Sequence, residues 1–466
     1  NDGRMKPDIS AATCLSTVAF GSQCFNGTSA ATPVAAGIAA LALDAGLAST
    51  PAEVKQFLID NAVDRGTTGP DQGHGWGEII LPGSLESLTP VRVFDTRPGQ
   101  SPDALRLVDK EQIGGSRVLT VQMTGLSGRV PSTGVGAVSL NVVATGSTQP
   151  GYITVYPCGN RGEVSSVNFA AGQTVANAVV APVSSTGTVC FYSPTPVDVI
   201  ADLNGYFEST SAFVPVTPER VFDTRPGQSP DALRTVAKQQ IANSTLKVKV
   251  TDLAGVVPAT GVEAVSLNVV ATGPAGPGYL TVYPCGTRAE VSSVNFTGAG
   301  QTVANAVVAP VSSDGHVCFY SPVAVDVIAD INGWYASTPV FTPVSPARLF
   351  DTRPGQSPDS LRAVTKQRIG GTTTLTVKVT SLSGKVPVSG VAAVSLNVVA
   401  TTTSGPGYVT VYPCGTVPSV SSVNFTGPGQ TVANAVVAPV SDSGTICFAA
   451  STLTDVLVDL NGWYAG

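Results

Sequence analysis

The sequence predicts a short α/β segment with buried helices followed by three all-β modules, each an antiparallel sandwich or barrel. Three observations predict it. First, the block VFDTRPGQSPDALR at residues 93–106 recurs unchanged at 221–234 and as LFDTRPGQSPDSLR at 349–362, each copy 128 residues after the last. A fixed period of that size marks repeated units. Second, the first 88 residues carry helix signals, whereas the rest alternates apolar with polar or small residues, the period of a half-buried strand. Third, only 12% of the residues are charged while Gly (49) and Pro (35) abound, which suits short strands joined by tight turns and disfavours long exposed helices. The 466 residues accommodate roughly three or four domains of ordinary size, with expected bounds 1–88, 89–209, 210–337 and 338–466.

In the first segment, FNGTSAATPVAAGIAALAL at residues 25–43 is apolar all round after Ser29 and built of small residues, as expected for a helix buried on every side. A second helix has a clear start. Thr50 stands as N-cap, Pro51 at the first helical position and Glu53 three residues after the cap, a capping box. Val54, Phe57, Leu58 and Ala62 then share one face, and Gly73, Gly75 and Gly77 make a turn that returns the chain to the core. The apolar run at 30–43 is interrupted by Thr32, Pro33 and Gly37 and is shorter than the ~18–20 residues that cross a bilayer, so no membrane association is expected. The net charge of −6 contains no run of five like charges and no basic stripe, so nucleic acid is not an expected partner. The chain starts at Asn1 with no leader pattern and reads as a processed product or a fragment.

Within each repeat, AVSLNVVAT (137–145) and VDVIADLNGYF (197–207) read as strands, with turn residues every eight to twelve positions and no signal for a crossover helix. The links STSAFVPVTPER and STPVFTPVSPAR are Pro-rich, which predicts extended spacers and modules set in a row. The cysteines fall in pairs: Cys14 and Cys24, Cys158 and Cys190, Cys285 and Cys318, Cys414 and Cys447. The pairs stand far from one another and lack the short C-x-x-C spacings of a zinc site, so one disulfide per unit is expected and no metal or other cofactor. Disulfides at this density imply an oxidising, extracellular compartment.

Asp95, Arg97, Asp103 and Arg106 gather in the Pro/Gly loop, and Asp198, Asp202 and Asn204 share one face of the last strand. A calcium or sugar site is one reading. A cation site needs six to eight converging oxygens, however, and the strand rise sets Asp198 and Asp202 roughly 13 Å apart. Loop-ordering ion pairs and a solvated strand face are the ordinary reading. Tyr152 and Tyr156 could stack on a sugar, although strand tyrosines usually serve packing.

Ser29 is the candidate nucleophile. It stands where a helix begins, beside unpaired first-turn N–H groups and the positive end of the helix dipole, which stabilise developing negative charge. A serine there is also a common cap. The surrounding motifs go further. GRMKPDISA, NGTSAATPVAAG, STPAEVKQFLIDNAVD and GHGWGEI, in this order, resemble the subtilisin-like serine proteases over residues 1 to about 85. SAAT and Val34 depart from the family's usual residues. The resemblance implies Ser29 as nucleophile, with its own N–H as an oxyanion donor, inside the motif Asn26, Gly27, Thr28. It also implies a triad Asp and His, and an oxyanion Asn, ahead of the serine. Only 28 residues precede Ser29, and the two histidines, His74 and His316, both follow it. The expected function is that of a secreted serine endopeptidase acting on proteins or peptides, with this chain alone inactive. The alternative is a spacer or binding array of β modules directed at a surface or a polysaccharide.

Overall fold

The computed structural model describes residues 7–11, 27–44, 48–60, 62–63, 69–79, 85–115, 117–209, 211–336, 340–371 and 373–465. The chain forms two compact units, one of Asn1–Gly83 with Ser337–Val340, the other of Ser84–Ala336 with Phe341–Gly466.

In the smaller unit, α1 (Thr28–Asp44) and α2 (Pro51–Asp60) accompany a sheet of three short strands, β1 (Ser10–Ala11), β2 (Ala62–Val63) and β3 (Glu78–Ile79), in the order β1-β3-β2. β1 runs parallel to β3 and β2 antiparallel to it. The capping box forms: the Thr50 hydroxyl accepts the Glu53 N–H (3.3 Å), and the Glu53 carboxylate accepts the N–H of Thr50 (3.2 Å) and of Ser49 (2.7 Å). The glycine turn is held by Asp71, whose side chain accepts the N–H groups of Gly73 and His74 at 2.8 Å. At Gly75, φ is +64° and a Cβ would lie 2.3 Å from the Asp8 carbonyl oxygen, so only glycine lets this turn lie against β1's approach.

The expectation that α1 is buried on every side is not met. Ala30, Ile38 and Ala42 form one buried stripe at helical spacing, while Leu41 and Leu43 are 39% and 49% exposed. A helix of Ala, Gly and Val has no polar face by which a one-sided environment could be read from sequence. The described residues cover it from the direction of β1 and α2.

The larger unit begins with β4 (Leu85–Asp95), which carries residues 85–88 into the sheet of the first repeat. There follow β5 (Leu119–Gln122), β6 (Val135–Thr145), β7 (Gly151–Pro157), β8 (Val167–Phe169), β9 (Val175–Pro182), β10 (Thr188–Tyr192) and β11 (Asp198–Glu208). They form two four-stranded antiparallel sheets, β4-β11-β6-β9 and β5-β10-β7-β8. The first strand thus pairs with the eighth, the second with the seventh, the third with the sixth and the fourth with the fifth. This is a long hairpin wound up into a jelly roll. Val142, Val199 and Leu203 from one sheet meet Ile153, Val155 and Phe191 from the other in a single core. The same eight strands recur from Phe213 and from Phe341, so three repeats supply six sheets.

The repeats do not stand in a row. The Pro-rich links enter directly into strands, Phe213–Asp223 and Phe341–Asp351, and the three jelly rolls close into a ring. Around its centre lie equivalent residues from all three: Leu85, Phe213 and Phe341, then Phe207, Tyr335 and Tyr464. Here Tyr335 and Tyr464 hydrogen-bond through their hydroxyls at 2.8 Å. Closure is also polar. The Asn177 amide donates to Asn268 Oδ1 (2.8 Å), Asn305 to Asn397 (2.9 Å) and Asn434 to Asn141 (2.8 Å), so each repeat bonds the next in rotation. Extended proline segments predict spacing only when nothing draws the repeats together; buried aromatic area and this cyclic ladder do so here.

Candidate functional site

Ser29 lies exposed in the first turn of α1. Gly27, with φ +86°, caps the helix, and its carbonyl accepts the N–H groups of Ala30 (2.9 Å) and Ala31 (3.1 Å). The N–H of Ser29 is therefore among the first-turn donors that have no intrahelical acceptor. Four residues on, Pro33 has no N–H with which to meet the Ser29 carbonyl. The helix thus presents a solvent-facing hydroxyl beside a free backbone donor at its positive end. Among the described residues none hydrogen-bonds to the Ser29 hydroxyl. Asn26, Cys14 and Cys24 lie outside the described residues.

Among the described residues, no hydrogen bond joins either histidine to Ser29. His74 sits in the turn anchored by Asp71, with Nδ1 3.8 Å from the Asp71 carboxylate. His316 opens a strand in the second repeat, where Nδ1 lies 2.9 Å from the Asp314 carbonyl oxygen.

The three disulfides of the repeats form as their spacing predicts: Cys158–Cys190, Cys285–Cys318 and Cys414–Cys447. Each ties the end of the fourth strand to the seventh within one sheet. The loop candidates divide. Asp95 is fully buried and takes Arg97 through its side chain (2.8 Å) and backbone N–H (3.0 Å), so the expected ion pair is present. Arg106 instead binds the backbone oxygens of Gln122, Thr124 and Gly125, and Asp103 faces solvent. Burial opposes ionisation of Asp95, but the Arg97 hydrogen bonds with that of Ser101 outweigh it and hold the carboxyl below the usual range.

The expected solvated strand face is buried. Asp198, Asp202 and Asn204 are 9%, 0% and 7% exposed; Asp198 is bonded by Thr96 and Gln112 of its own repeat, while the Ser421 backbone of the third repeat reaches Asp202. Arg92 organises this cluster. It bonds Asp202 through Nε and reaches Asp95 (3.3 Å) and Ser101 (2.8 Å) through Nη1. It stands one position ahead of the repeated block, and Arg220 and Arg348 hold the same place in the other repeats, a recurrence that marks it in the sequence. Burial raises the carboxyls of Asp202, Asp330 and Asp459 against the opposing pull of these arginines; Asp330 is pushed up to about 6. Among the described residues no group of three or more His, Cys, Asp or Glu is placed to hold a metal ion, and no helix is long and apolar enough to cross a membrane.

The two tyrosines separate as well. Tyr156 is buried and packs, while Tyr152 is half-buried and lines a cleft of about 880 Å³ between the first and second repeats.

The fold and site define a segment with an exposed helix-start serine joined to a ring of three disulfide-bonded jelly rolls. Its relatives are found for the segment. The subtilase family matches residues 1–77, a serine-protease-like relationship that covers only this part of the chain. No curated protein sequence matches the chain. Two solved chains, described as the triple jelly roll fold and turret assembly of an archaeal virus and as Sulfolobus turreted icosahedral virus, are each 10% identical over 83% of this chain. They are covered to 98% and 99%, and the TM-score of 0.21 in both cases carries no argument.

Proposed function

We propose that this chain contributes the nucleophile segment of a secreted serine endopeptidase of subtilase type, with Ser29 as the residue acylated by protein or peptide substrates. The observation that carries the reading is the exposed Ser29 hydroxyl on the first turn of α1, inside the stretch that matches the family. The Ser29 Oγ attacks the scissile carbonyl while a base accepts its proton, and the Ser29 N–H helps to hold the oxyanion. The base then protonates the leaving amine, and water releases the acyl group. By the resemblance, base, orienting carboxylate and oxyanion Asn belong to family sequence ahead of the serine, so the chain by itself is inactive. The three disulfides support the extracellular setting.

The test is peptidase activity of a protein in which the family's upstream segment precedes this chain. Ser29→Ala abolishes hydrolysis on this reading; hydrolysis retained by the variant refutes it. A second reading, a binding array directed at a surface polysaccharide, is favoured by the cleft between repeats.

A further inference from the structure

The cleft between the first two repeats is built from both. In repeat 1 the loop after the fourth strand supplies Arg161 and Glu163 and the fifth strand, β8, Asn168, while repeat 2 supplies Gln228 and Asp231 from its Pro/Gly loop. The two sides close at Gly162, where a Cβ would lie 2.5 Å from the Pro218 carbonyl oxygen. The floor is a strip of sheet, with Val270 and Ile328 beside the hydroxyl pair Thr272 and Thr302, 2.7 Å apart. Tyr152 stands at the side. At about 880 Å³ the space falls in the range of small-molecule sites, ~300–1,000 Å³.

Several of its polar groups are uncommitted. Among the described residues, no hydrogen bond engages the Tyr152 hydroxyl, the carboxylates of Glu163 and Asp231, or the Gln228 amide. The Arg161 guanidinium carbon lies 3.6 Å from the centroid of the Tyr192 ring, a cation–π contact that restrains the side chain. Arg220 and Arg225, which also border the cleft, are already paired with Asp330 and Asp223. Among the described residues lining the cleft, carboxylates therefore outnumber the one cation not held in an ion pair, Arg161, and an anionic polymer is repelled. What fits is an uncharged ligand with many hydroxyls and one apolar face. Its hydroxyls donate to the carboxylates and accept from Arg161 and the amides, while its C–H face lies on the half-buried Tyr152 ring.

We propose that this cleft binds a neutral polysaccharide, seating one or two pyranose rings; this rests on the binding-array reading of the repeats. The second repeat carries the equivalent set on its side facing the third, with Arg288 over the Tyr320 ring at 3.7 Å and Glu290 two residues on. At the third position the set is dismantled: Val417, Ser419 and Ala449 stand where Arg161, Glu163 and Tyr192 stand in repeat 1. Arginine and its tyrosine are thus absent together at that junction. Two of the three repeat junctions bind and one does not.

The experiment is affinity electrophoresis of the full chain in gels containing laminarin, mannan or hydroxyethylcellulose, with polygalacturonate as the anionic comparison. At least one neutral polymer retards the protein, and 0.5 M NaCl leaves the retardation in place. Arg161→Ala with Arg288→Ala weakens binding at least tenfold, Tyr152→Ala weakens it severalfold, and Val417→Ala leaves it unchanged. These side chains are exposed or half-buried, and circular dichroism of each variant confirms the fold. Retardation that survives the double variant, or that occurs only with polygalacturonate and disappears in salt, overturns the cleft while the array reading stands. No retardation by any polymer overturns both.

Discussion

Replacing Asn305 by Ala is expected to unfasten the second repeat from the third. Asn305 is 1% exposed; its amide donates to the Ser293 carbonyl (2.6 Å) and to Asn397 Oδ1 (2.9 Å), and its own Oδ1 accepts the Ala435 N–H (2.9 Å). Alanine leaves all three partners without this bond in a buried place. A buried group that loses its partner costs about 1–3 kcal/mol, so three of them at the lower end give a loss of about 3–4 kcal/mol. Asn295→Ala is the control, because that half-buried side chain accepts one bond from the Ser292 hydroxyl; its loss is about 0.5–1 kcal/mol. Urea titration of the full chain at pH 7, followed by far-UV circular dichroism, measures both. A loss below about 1 kcal/mol for Asn305→Ala, or one equal to the control, refutes the reasoning that the asparagine ladder closes the ring.

Cys285→Ala with Cys318→Ala opens a 33-residue loop and lowers stability by roughly 3–4 kcal/mol in the chain-entropy account; an unchanged urea midpoint contradicts it. Asp330, pushed up to about 6 by burial against the pull of Arg220, keeps its proton in the fold at pH values where the unfolded chain, near 3.9, has lost it. Its contribution is fully present below about pH 4 and is lost as pH rises through about 6, a change of about 2–3 kcal/mol that Asp330→Asn removes from the pH 4–6 stability profile. The lowered carboxyl of Asp223 acts in the opposite sense, since its contribution is lost only as pH falls below about 4, outside that window. A chain beginning at Ser84 is expected to unfold cooperatively, because the ring has its own cores and cross-links; a broad, non-cooperative melt refutes this.

Much of the local structure was legible, and the reasons are local. Period-2 alternation in AVSLNVVAT, the Thr50–Glu53 box and the paired cysteines each report on contacts inside one element or one repeat, where sequence spacing equals spatial spacing. What the pattern does not carry is the relation between repeats. Asn177, Asn305 and Asn434 recur inside an apolar strand, a visible anomaly, yet their partners lie in other repeats, and no period within a strand says which. Asp202 reads as solvent-facing for the same reason: its face is buried by a neighbouring repeat and by Arg92. α1 misled in the other direction, since its run of alanines and other small apolar residues allows any degree of burial. Motif order singles out Ser29, and the structure places it exposed at the start of α1.

Peptide mapping after reaction with a fluorophosphonate, which modifies only activated serines, tests the role of Ser29 most directly. With the family's upstream catalytic segment in place, the account predicts a single modified peptide containing Ser29, and no modification of the 466-residue chain by itself. A complete protein that stays unmodified, or a bare chain that is modified at Ser29 and ceases to be on His74→Ala, contradicts it.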